Sequence, residues 1–201
     1  MSRYTGPNNK KARRYKYSIL ENNKEFLKGK KKISIPGQHG NKNQKLSNYG
    51  EHLYEKQKVR YMYGLNEKQM KRTFEKATKM KGVLGENFLF LLESRLDNLI
   101  YRMGFASTRR QARQFVNHGH VRVNDRKVDI PSYVVSPGSK IELKDKSKKI
   151  NFIKDNLEAA RIAPFVKVDS KTLSGEYLRL PKRNEISGQL NESLVVEFYN
   201  R

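Results

Sequence analysis

The stretch from residue 94 to residue 143 constrains the fold of this chain more than any other part of the sequence. Its first part has apolar residues at helical spacing, which predicts a helix with one buried face. These residues are Leu96, Leu99, Ile100 and Met103. Gly104 is the predicted end of this helix, because glycine adopts the left-handed conformation of a C-terminal cap at little steric cost. Ser107 is then the predicted N-cap of a second helix over residues 108–118, so the stretch begins as a helix pair.

The second predicted helix, which Gly119 ends, has an apolar side and a basic side. Ala112, Phe115 and Val116 share the apolar side. Arg109, Arg113 and Asn117 lie on a different side, flanked by Arg110 and Gln114. At about 100° per residue the two groups are well separated, so we expect the apolar side to be buried and the basic side to lie in solvent.

The chain after the helix pair has the pattern of strands. Polar residues alternate with valines from His120 to Asn124, and this alternation is typical of a half-buried strand. Farther along, extended segments at 133–135 and 141–143 flank a Pro137–Gly138 turn, which predicts a hairpin that completes the module. We therefore expect this strand and the helix before it each to bury an apolar face. Each should expose a basic, amide-rich face to solvent.

The polar residues of this helix and strand form a cluster that suits nucleic acid. Guanidinium groups match phosphate oxygens in shape and charge, and amides and imidazoles can bind base edges or ribose hydroxyls. Without anions such a cluster repels itself, whereas phosphates turn it into a binding site. The alternative is a solvated helix face that binds nothing. The predicted RNA-binding residues are Arg109, Arg110, Arg113, Gln114, Asn117, His118, His120 and Arg122.

The overall charge also favours a polyanionic partner. The chain has 43 Lys and Arg residues against 20 Asp and Glu residues, which gives a net charge of +23. Nucleic acid is the usual partner of so basic a protein, and an acidic membrane surface is the alternative. The sequence has no long apolar run, no secretory signal and no basic helix with a dominant apolar face, so we expect no membrane partner. It also has no cysteine, which excludes disulfides and thiolate metal sites.

A basic arm precedes the helices of this predicted α+β protein. Residues 1–45 are rich in lysine and arginine and are interrupted by glycine and proline, which predicts an arm with little structure of its own that orders along RNA. The alternative is a nonspecific solvated tail or a nuclear-type basic signal. The predicted RNA-binding residues of the arm are Arg3, Lys10, Lys11, Arg13 and Arg14. Its tyrosines, Tyr4, Tyr15 and Tyr17, are candidates to stack on bases.

A small helical domain is predicted for residues 46–92. Ser47 begins its first helix and Gly64 ends it, and Asn66 with Gln69 has the spacing of a capping box at the start of the next helix. The second helix has an apolar stripe, which predicts one buried face. The stripe consists of Met70, Phe74, Ala77 and Met80.

The helix pair and the antiparallel hairpins form a module predicted over residues 93–156. A C-terminal extension, residues 157–201, is expected to pack back on the other domains. It has candidate strands at 166–168 and 177–180. Its last segment, residues 193–199, alternates weakly and is either a strand or a segment that packs on the helical part.

Residues 106–124, with the sequence ASTRRQARQFVNHGHVRVN, resemble the S-four RNA-binding domain, which is named after the fourth protein of the small ribosomal subunit. The shared pattern is an alanine before a Ser/Thr-Arg pair, an apolar face behind the basic one, and a glycine before a Val-x-Val-Asn strand. The family usually has Asn-Gly in the hairpin turn. Asn124–Asp125 stands there in this chain, which leaves the turn type open.

The resemblance extends along nearly the whole chain to the bacterial-type family of that ribosomal protein. It is carried by SRYTGP at the start, PGQHG at 36–40, KQKVRYMYG at 56–64, GENFL with LESRLDN at 85–98, RLP at 179–181 and VEFYNR at the end. Some members of the family hold zinc through cysteines of the N-terminal arm, and this chain has none there. The resemblance therefore implies a variant without that zinc site, and we expect no cofactor.

The resemblance also implies a function. It implies a primary rRNA-binding protein and structural constituent of the small ribosomal subunit, which nucleates ribosome assembly in the cytoplasm or in an organelle with a bacterial-type ribosome. The implied partners are small-subunit rRNA and neighbouring small-subunit proteins, notably protein five, with which such proteins affect the accuracy of translation. Repression of its own messenger RNA is implied for some bacteria.

An enzyme is the rival function, because pseudouridine synthases and one type of tyrosyl-tRNA synthetase carry the same module. Those enzymes have a large catalytic domain beside it, whereas the flanks here are a basic arm, a small helical region and a short tail. No catalytic motif stands out, His118 and His120 lack further ligands at metal-binding spacing, and Asp97 is expected to pair with Arg95. We therefore expect neither catalysis nor a metal ion, with an RNA-modifying or other non-ribosomal RNA-binding protein as the alternative.

A DNA-binding helix-turn-helix regulator is a third reading of the same helix pair. A recognition helix normally enters the major groove alone. The polar strand that bears His120 and Arg122 beside the basic helix argues against that class.

Overall fold

A computed structural model of the chain describes residues 4–21, 26, 34–40, 45–148, 150–160, 162–186 and 190–200, without the side chains of residues 146, 151 and 152. The chain divides into two compact units. The first contains Met1–Gly85 and Gln189–Arg201, and the second is Glu86–Gly188. The four predicted domain ranges remain a prediction; they are 1–45, 46–92, 93–156 and 157–201. Helices and an antiparallel sheet occur together, so the predicted α+β class is confirmed.

The first unit is helical in its described residues. Its helices are α1 (Asn8–Tyr15), α2 (Asn48–Met62), α3 (Glu67–Ala77) and α9 (Glu192–Tyr199). The predicted start of α2 is confirmed, since the Ser47 hydroxyl accepts a hydrogen bond from the Gly50 amide at 3.2 Å. The capping box of α3 is also confirmed, because Asn66 and Gln69 each accept a hydrogen bond from the other's backbone amide, at 2.8 and 3.2 Å.

The apolar stripe of α3 is buried up to the end of the helix. Met70, Phe74 and Ala77 are buried as predicted. Met80 is exposed, so the prediction is wrong for this residue. The helix ends at Ala77, and Met80 lies in the turn beyond it, where helical spacing no longer sets its direction.

The C-terminal segment forms helix α9 and packs on α2, so of the two predicted alternatives the strand is wrong and the packing segment is right. Val195 is fully buried there. Two polar contacts fix the helix: Glu197 Oε2 lies 2.9 Å from His52 Nε2, and the Tyr199 hydroxyl donates to Glu67 Oε1 at 2.9 Å. The chain end is therefore part of the first unit.

The second unit combines helices with a five-stranded antiparallel sheet. Its helices are α4 (Leu84–Glu93, which starts at the boundary between the units), α5 (Leu96–Arg102), α6 (Arg109–Asn117), α7 (Asp145–Lys148) and α8 (Asn151–Ala159). Its strands are β1 (Val121–Val123), β2 (Arg126–Lys127), β3 (Ser139–Leu143), β4 (Val166–Asp169) and β5 (Ser174–Tyr177), in the sheet order β2-β1-β3-β5-β4. None of the helices in the described ranges has the length and apolar character needed to cross a bilayer.

The predicted helix pair is confirmed, with one change of cap. The whole apolar stripe of α5 is fully buried, and Gly104 follows the helix with a left-handed φ of 81°. The N-cap of α6 is Thr108 rather than Ser107, because the Thr108 side chain accepts a hydrogen bond from the Gln111 amide at 3.2 Å. Ser107 instead donates from its amide to the Gln111 side chain at 2.8 Å. The predicted cap was therefore one residue too early.

The hairpin of β1 and β2 settles the turn type that the sequence left open. Asn124 and Asp125 have φ values of 46° and 64°. A two-residue hairpin loop with positive φ at both positions is a type I′ turn. The aspartate thus occupies a left-handed conformation that glycine would adopt with less strain.

The second predicted hairpin is wrong. Residues 133–135 form no strand with β3, which pairs with β1 and β5 instead. The backbone of this segment binds the start of α5, since Tyr133 O accepts from Leu96 N at 2.8 Å and Val135 N donates to Ser94 O at 2.9 Å. The first backbone amides of a helix have no acceptor within the helix and need one elsewhere. Because residues 133–135 bind the start of α5 in this way, they do not join the sheet.

The extension supplies the last two strands of the sheet. The strand predicted at 166–168 is confirmed as β4. The strand predicted at 177–180 lies earlier, as β5, which ends at Tyr177. Leu178 and Leu180 are exposed beyond it.

Candidate nucleic-acid interface

Helix α6 turns a different side to solvent than the sequence predicted. Its apolar residues are buried as expected, but Arg113 is only 6% exposed. The expectation that Arg113 lies in solvent is therefore wrong. The reason is the packing of α6 against α5, which brings Arg113 Nη1 to 3.5 Å from Oδ2 of Asp97 in the first turn of α5.

Asp97 is the centre of this buried contact. Arg95 donates to both of its oxygens, from Nε at 3.0 Å and from Nη2 at 2.7 Å. The predicted pair of Asp97 and Arg95 is thus confirmed. A buried carboxylate requires such charge-assisted hydrogen bonds, which Arg95 provides, and Arg113 adds the charge of an ion-pair contact from another segment of the chain.

Arg109 belongs to a second buried cluster. Its Nε donates to Asn98 Oδ1 at 2.7 Å, and its guanidinium lies 4.6 Å from the centre of the Tyr101 ring. Glu93, which is fully buried, binds Arg102 at 2.8 and 2.9 Å and lies 4.0 Å from Arg109. The side chain of Arg109 is 9% exposed, so it holds α5 and α6 together beneath the surface.

Four predicted residues of α6 and its cap do lie in solvent. We call Arg110, Gln114, Asn117 and His118 the exposed stripe. Arg110 and Gln114 stand one helical turn apart, and Asn117 continues the same side. The stripe is rotated from the predicted face because Arg109 and Arg113, one turn apart themselves, are drawn inward by acidic partners.

Strand β1 continues the polar surface. Arg122 is exposed between the buried residues Val121 and Val123. Directly across from it stand Lys127 on β2 and Glu142 on β3. Lys127 is not among the residues predicted to bind RNA, although a two-residue turn at Asn124–Asp125 fixes the register that pairs residues 122 and 127.

His120 lies between the exposed stripe and Arg122. Its ring stands 4.6 Å from the Phe115 ring, and its Nδ1 is 2.8 Å from Ser147 Oγ. The His118 ring is 6.0 Å away. Partial burial lowers the pKa of His120 below its ordinary value, and the charges of His118 and Lys144 lower it further. In the described part of the chain no three His, Asp or Glu side chains gather in a way that could hold a metal ion.

Part of the basic arm is helical in the described residues, contrary to the expectation that it has little structure of its own. Residues 8–15 form helix α1, on which Lys10 and Arg14 are exposed. Lys11 Nζ lies 4.7 Å from the centre of the Tyr61 ring, and Arg13 donates to the Ser34 carbonyl at 3.5 Å. Arg3 lies outside the described residues.

The tyrosines of the arm pack on protein. Tyr4 and Tyr15 contact the Tyr61 ring at centroid distances of 5.0 and 5.9 Å, and the Tyr17 hydroxyl bonds Met62 Sδ at 3.3 Å. Burial raises the pKa of Tyr15 to about 12. The candidates for base stacking therefore attach α1 to α2.

Comparison with known proteins identifies two matching family models. The model described as "Ribosomal protein S4/S9 N-terminal domain" matches residues 3–93. The model described as "S4 domain" matches residues 94–141, which contain α5, α6, the exposed stripe and the hairpin of β1 and β2.

Three relatives that align over nearly their whole length are identical to this chain at more than half of the aligned positions. The small ribosomal subunit protein uS4 of Mesoplasma florum is 56% identical over 205 residues, covering 100% of this chain and 99% of the relative. The protein of the same name from Mycoplasma capricolum is 54% identical, covering 100% and 98%. That from Oceanobacillus iheyensis is 53% identical, covering 100% of both chains.

Proposed function

The chain belongs to the family of small ribosomal subunit protein uS4, and from this membership we propose that the exposed stripe and strand β1 are its contact surface for small-subunit rRNA. The protein is a structural constituent of the small ribosomal subunit and binds rRNA. Its function is therefore to bind RNA through side chains on its surface.

The single observation that carries the proposal is the continuity of exposed polar groups across two elements. The exposed stripe supplies one guanidinium, two amides and one imidazole, and Arg122 with Lys127 adds two cations on the neighbouring hairpin. Cations bind phosphates at any sequence, whereas amides and imidazoles can contact base edges and ribose hydroxyls. This combination suits a folded RNA, which exposes base edges and ribose hydroxyls, better than a polyanion that offers charge alone.

The buried arginines have a supporting role in this proposal. Arg109 and Arg113 fix α6 on α5 through Asn98 and Asp97. A helix held by buried ion pairs keeps the exposed stripe in one position, which lowers the ordering cost of binding. We therefore withdraw the predicted direct contact of these two arginines with RNA. We keep it for the other predicted residues of this region, Arg110, Gln114, Asn117 and His118.

Helix α1 is the proposed second contact. Lys10 and Arg14 are exposed on it, one helical turn apart. Their helix is attached to α2 by the tyrosine contacts, so both charges are presented on an ordered element. The other predicted residues of the arm, Arg3, Lys11 and Arg13, remain part of the proposal as phosphate contacts.

Finer functions follow from the family resemblance alone and are proposed on that basis. They are nucleation of subunit assembly, a contact with small-subunit protein five that affects translational accuracy, and repression of the protein's own messenger RNA. We also propose that the protein has no catalytic activity and works in the cytoplasm as part of the ribosome.

A competition experiment tests the proposed function. The protein is titrated into labelled small-subunit rRNA transcribed in vitro, at several salt concentrations, with unlabelled rRNA or duplex DNA as competitor. We expect rRNA to compete far better than DNA at equal nucleotide concentration. We also expect the logarithm of the association constant to fall linearly with the logarithm of salt concentration, because phosphate contacts release counterions. Equal competition by duplex DNA would overturn the proposal.

A further inference from the structure

The His120 ring is held in place on several sides. Its Nδ1 lies 2.8 Å from Ser147 Oγ, and its ring stands 4.6 Å from that of Phe115. Its backbone is fixed as well, since His120 N donates to Phe115 O at 3.3 Å and Lys144 N donates to His120 O at 2.9 Å. The imidazole therefore has one defined orientation beside the exposed stripe.

Ser147 is buried, with 1% of its surface exposed. Its amide donates to Lys144 O at 2.8 Å, which places the hydroxyl under the imidazole. A buried hydroxyl needs an acceptor for its proton. Within the described residues His120 Nδ1 is the hydrogen-bond partner of this hydroxyl.

The direction of this bond decides which nitrogen carries the ring proton. If the hydroxyl donates, Nδ1 is the acceptor and the proton of the neutral ring lies on Nε2. Nε2 is neither hydrogen bonded nor buried in the part of the chain that the structure describes. A ring fixed in this way presents one N–H donor outward.

We propose that Ser147 is a positioning residue for RNA binding, which fixes His120 as a neutral imidazole whose Nε2–H donates to an oxygen of the RNA backbone. This inference rests on the proposed function. It assigns His120 a directional hydrogen bond, in contrast to the charge contacts of Arg122 and Lys127. It also gives the buried hydroxyl, which touches no RNA itself, a part in binding.

The charged groups around the ring support a neutral imidazole. His118 on the end of α6 and Lys144 after β3 both disfavour a further positive charge, and together with partial burial they lower the pKa of His120. Lys127 on the neighbouring strand also approaches this region, at Gly119. On α7, Asp145 pairs with Lys148 at 2.9 Å. The lowered pKa favours the neutral form of the ring.

The first test needs no RNA. In the free protein with ¹⁵N-labelled histidine, two-bond proton–nitrogen correlations distinguish the two ring nitrogens. We expect the Nδ1 resonance of His120 to be that of an unprotonated acceptor and the Nε2 resonance that of a protonated nitrogen at pH 7.5. A proton on Nδ1, or a ring charged at that pH, would overturn the inference.

The second test is a double-mutant cycle on affinity for small-subunit rRNA at pH 7.5. Ser147→Ala should weaken binding by about threefold to tenfold, the effect of losing one ordered hydrogen bond. In a His120→Ala background the same change should alter affinity by less than about twofold, because the residue through which Ser147 acts is gone. Ser147→Thr keeps the hydroxyl and should restore most of the affinity.

The outcomes separate this inference from the proposed function. If Ser147→Ala has no effect, or an equal effect with and without His120, Ser147 is not a positioning residue and the inference fails. If the unmodified protein does not prefer rRNA over duplex DNA, the proposed function fails first. The proton position on His120, measured without RNA, still decides the inference about Ser147 in that case.

Discussion

Arg113 and Asp97 form a buried ion pair between two helices: Nη1 lies 3.5 Å from Oδ2, and each side chain has 7% of its surface exposed. Asp97 also accepts two hydrogen bonds from Arg95. The pair connects the middle of α6 to the first turn of α5 and so fixes the direction in which α6 presents the exposed stripe. Arg113, although it lies on the basic side of α6, therefore stabilises the fold.

Arg113→Ala should therefore destabilise the protein. We expect the free energy of unfolding to fall by about 2–4 kcal/mol, because the substitution leaves buried Asp97 with Arg95 alone. Denaturant unfolding at pH 7 measures this change. Gln114→Ala, at the exposed neighbouring position, is the matched control and should change the free energy by less than about 0.5 kcal/mol. Equal stabilities of the two variants would show that the ion pair contributes nothing.

The helix pair could be predicted from sequence because its signals are local. Helical spacing of apolar residues and a glycine at the left-handed cap depend on neighbours along the chain, and both were confirmed at α5 and Gly104. The alternation that predicted β1 is local in the same way. It correctly placed Val121 and Val123 inside and Arg122 outside.

The burial of Arg113 could not be predicted in this way. A helical wheel separates charged from apolar residues, but it does not show that an acidic residue of another helix lies against the charged side. The same holds for Tyr15, whose partners Tyr54 and Tyr61 are on α2. The false hairpin at 133–135 has a related cause, since its backbone satisfies the start of α5, and only the tertiary fold brings the two together.

Gly104→Ala should destabilise the helix pair strongly. Gly104 has a φ of 81°, and an added Cβ would stand 2.6 Å from the Ala160 Cβ, so the backbone there must move. We expect a loss of about 2–4 kcal/mol from left-handed strain combined with the clash. Gly138→Ala is the matched control, because Gly138 has the same φ of 81° and nothing lies within 4 Å of the added atom. Its loss should be about 1–2 kcal/mol. Thermal unfolding of both variants separates the clash from the backbone strain.

Asp125→Gly should stabilise the protein by about 0.5–1 kcal/mol. Asp125 has a φ of 64° in the type I′ turn, and glycine removes the strain of the left-handed conformation. Asn124→Gly is the comparison, with a φ of 46° at the neighbouring position. It should not stabilise, because the Asn124 side chain accepts a hydrogen bond from Lys140 N at 2.9 Å that glycine loses. Urea unfolding of both variants measures the difference, and a gain in both would show that this hydrogen bond adds nothing.

The ion pair of Arg179 and Glu185 predicts a dependence of stability on pH. Arg179 donates to both carboxylate oxygens at 2.9 and 2.5 Å, and this contact lowers the pKa of Glu185 to about 2 from an ordinary value of 4.5. A depressed pKa stabilises the folded protein above the ordinary value, and this contribution is lost as the pH falls from about 4.5 to about 2.

Glu185→Gln should therefore lower the free energy of unfolding most at pH 6. The difference from the unmodified protein should shrink as the pH is lowered through that window, which urea titrations at several pH values measure. In an Arg179→Gln background the same substitution should have a much smaller effect, since the guanidinium is the main cause of the lowered pKa. A difference that does not vary with pH would contradict the assignment.

Arg110→Ala should weaken rRNA binding without unfolding the protein. Arg110 is exposed on α6, so we expect a change in stability below about 0.5 kcal/mol. Loss of one phosphate contact should lower affinity by about 1–3 kcal/mol and reduce the salt slope by about one contact. Lys171→Ala, in the exposed turn between β4 and β5, removes the same charge from the second unit and is the matched control. Filter binding at four salt concentrations measures both variants. If they lose affinity equally, net charge rather than the exposed stripe governs binding, and the proposed contact surface is wrong.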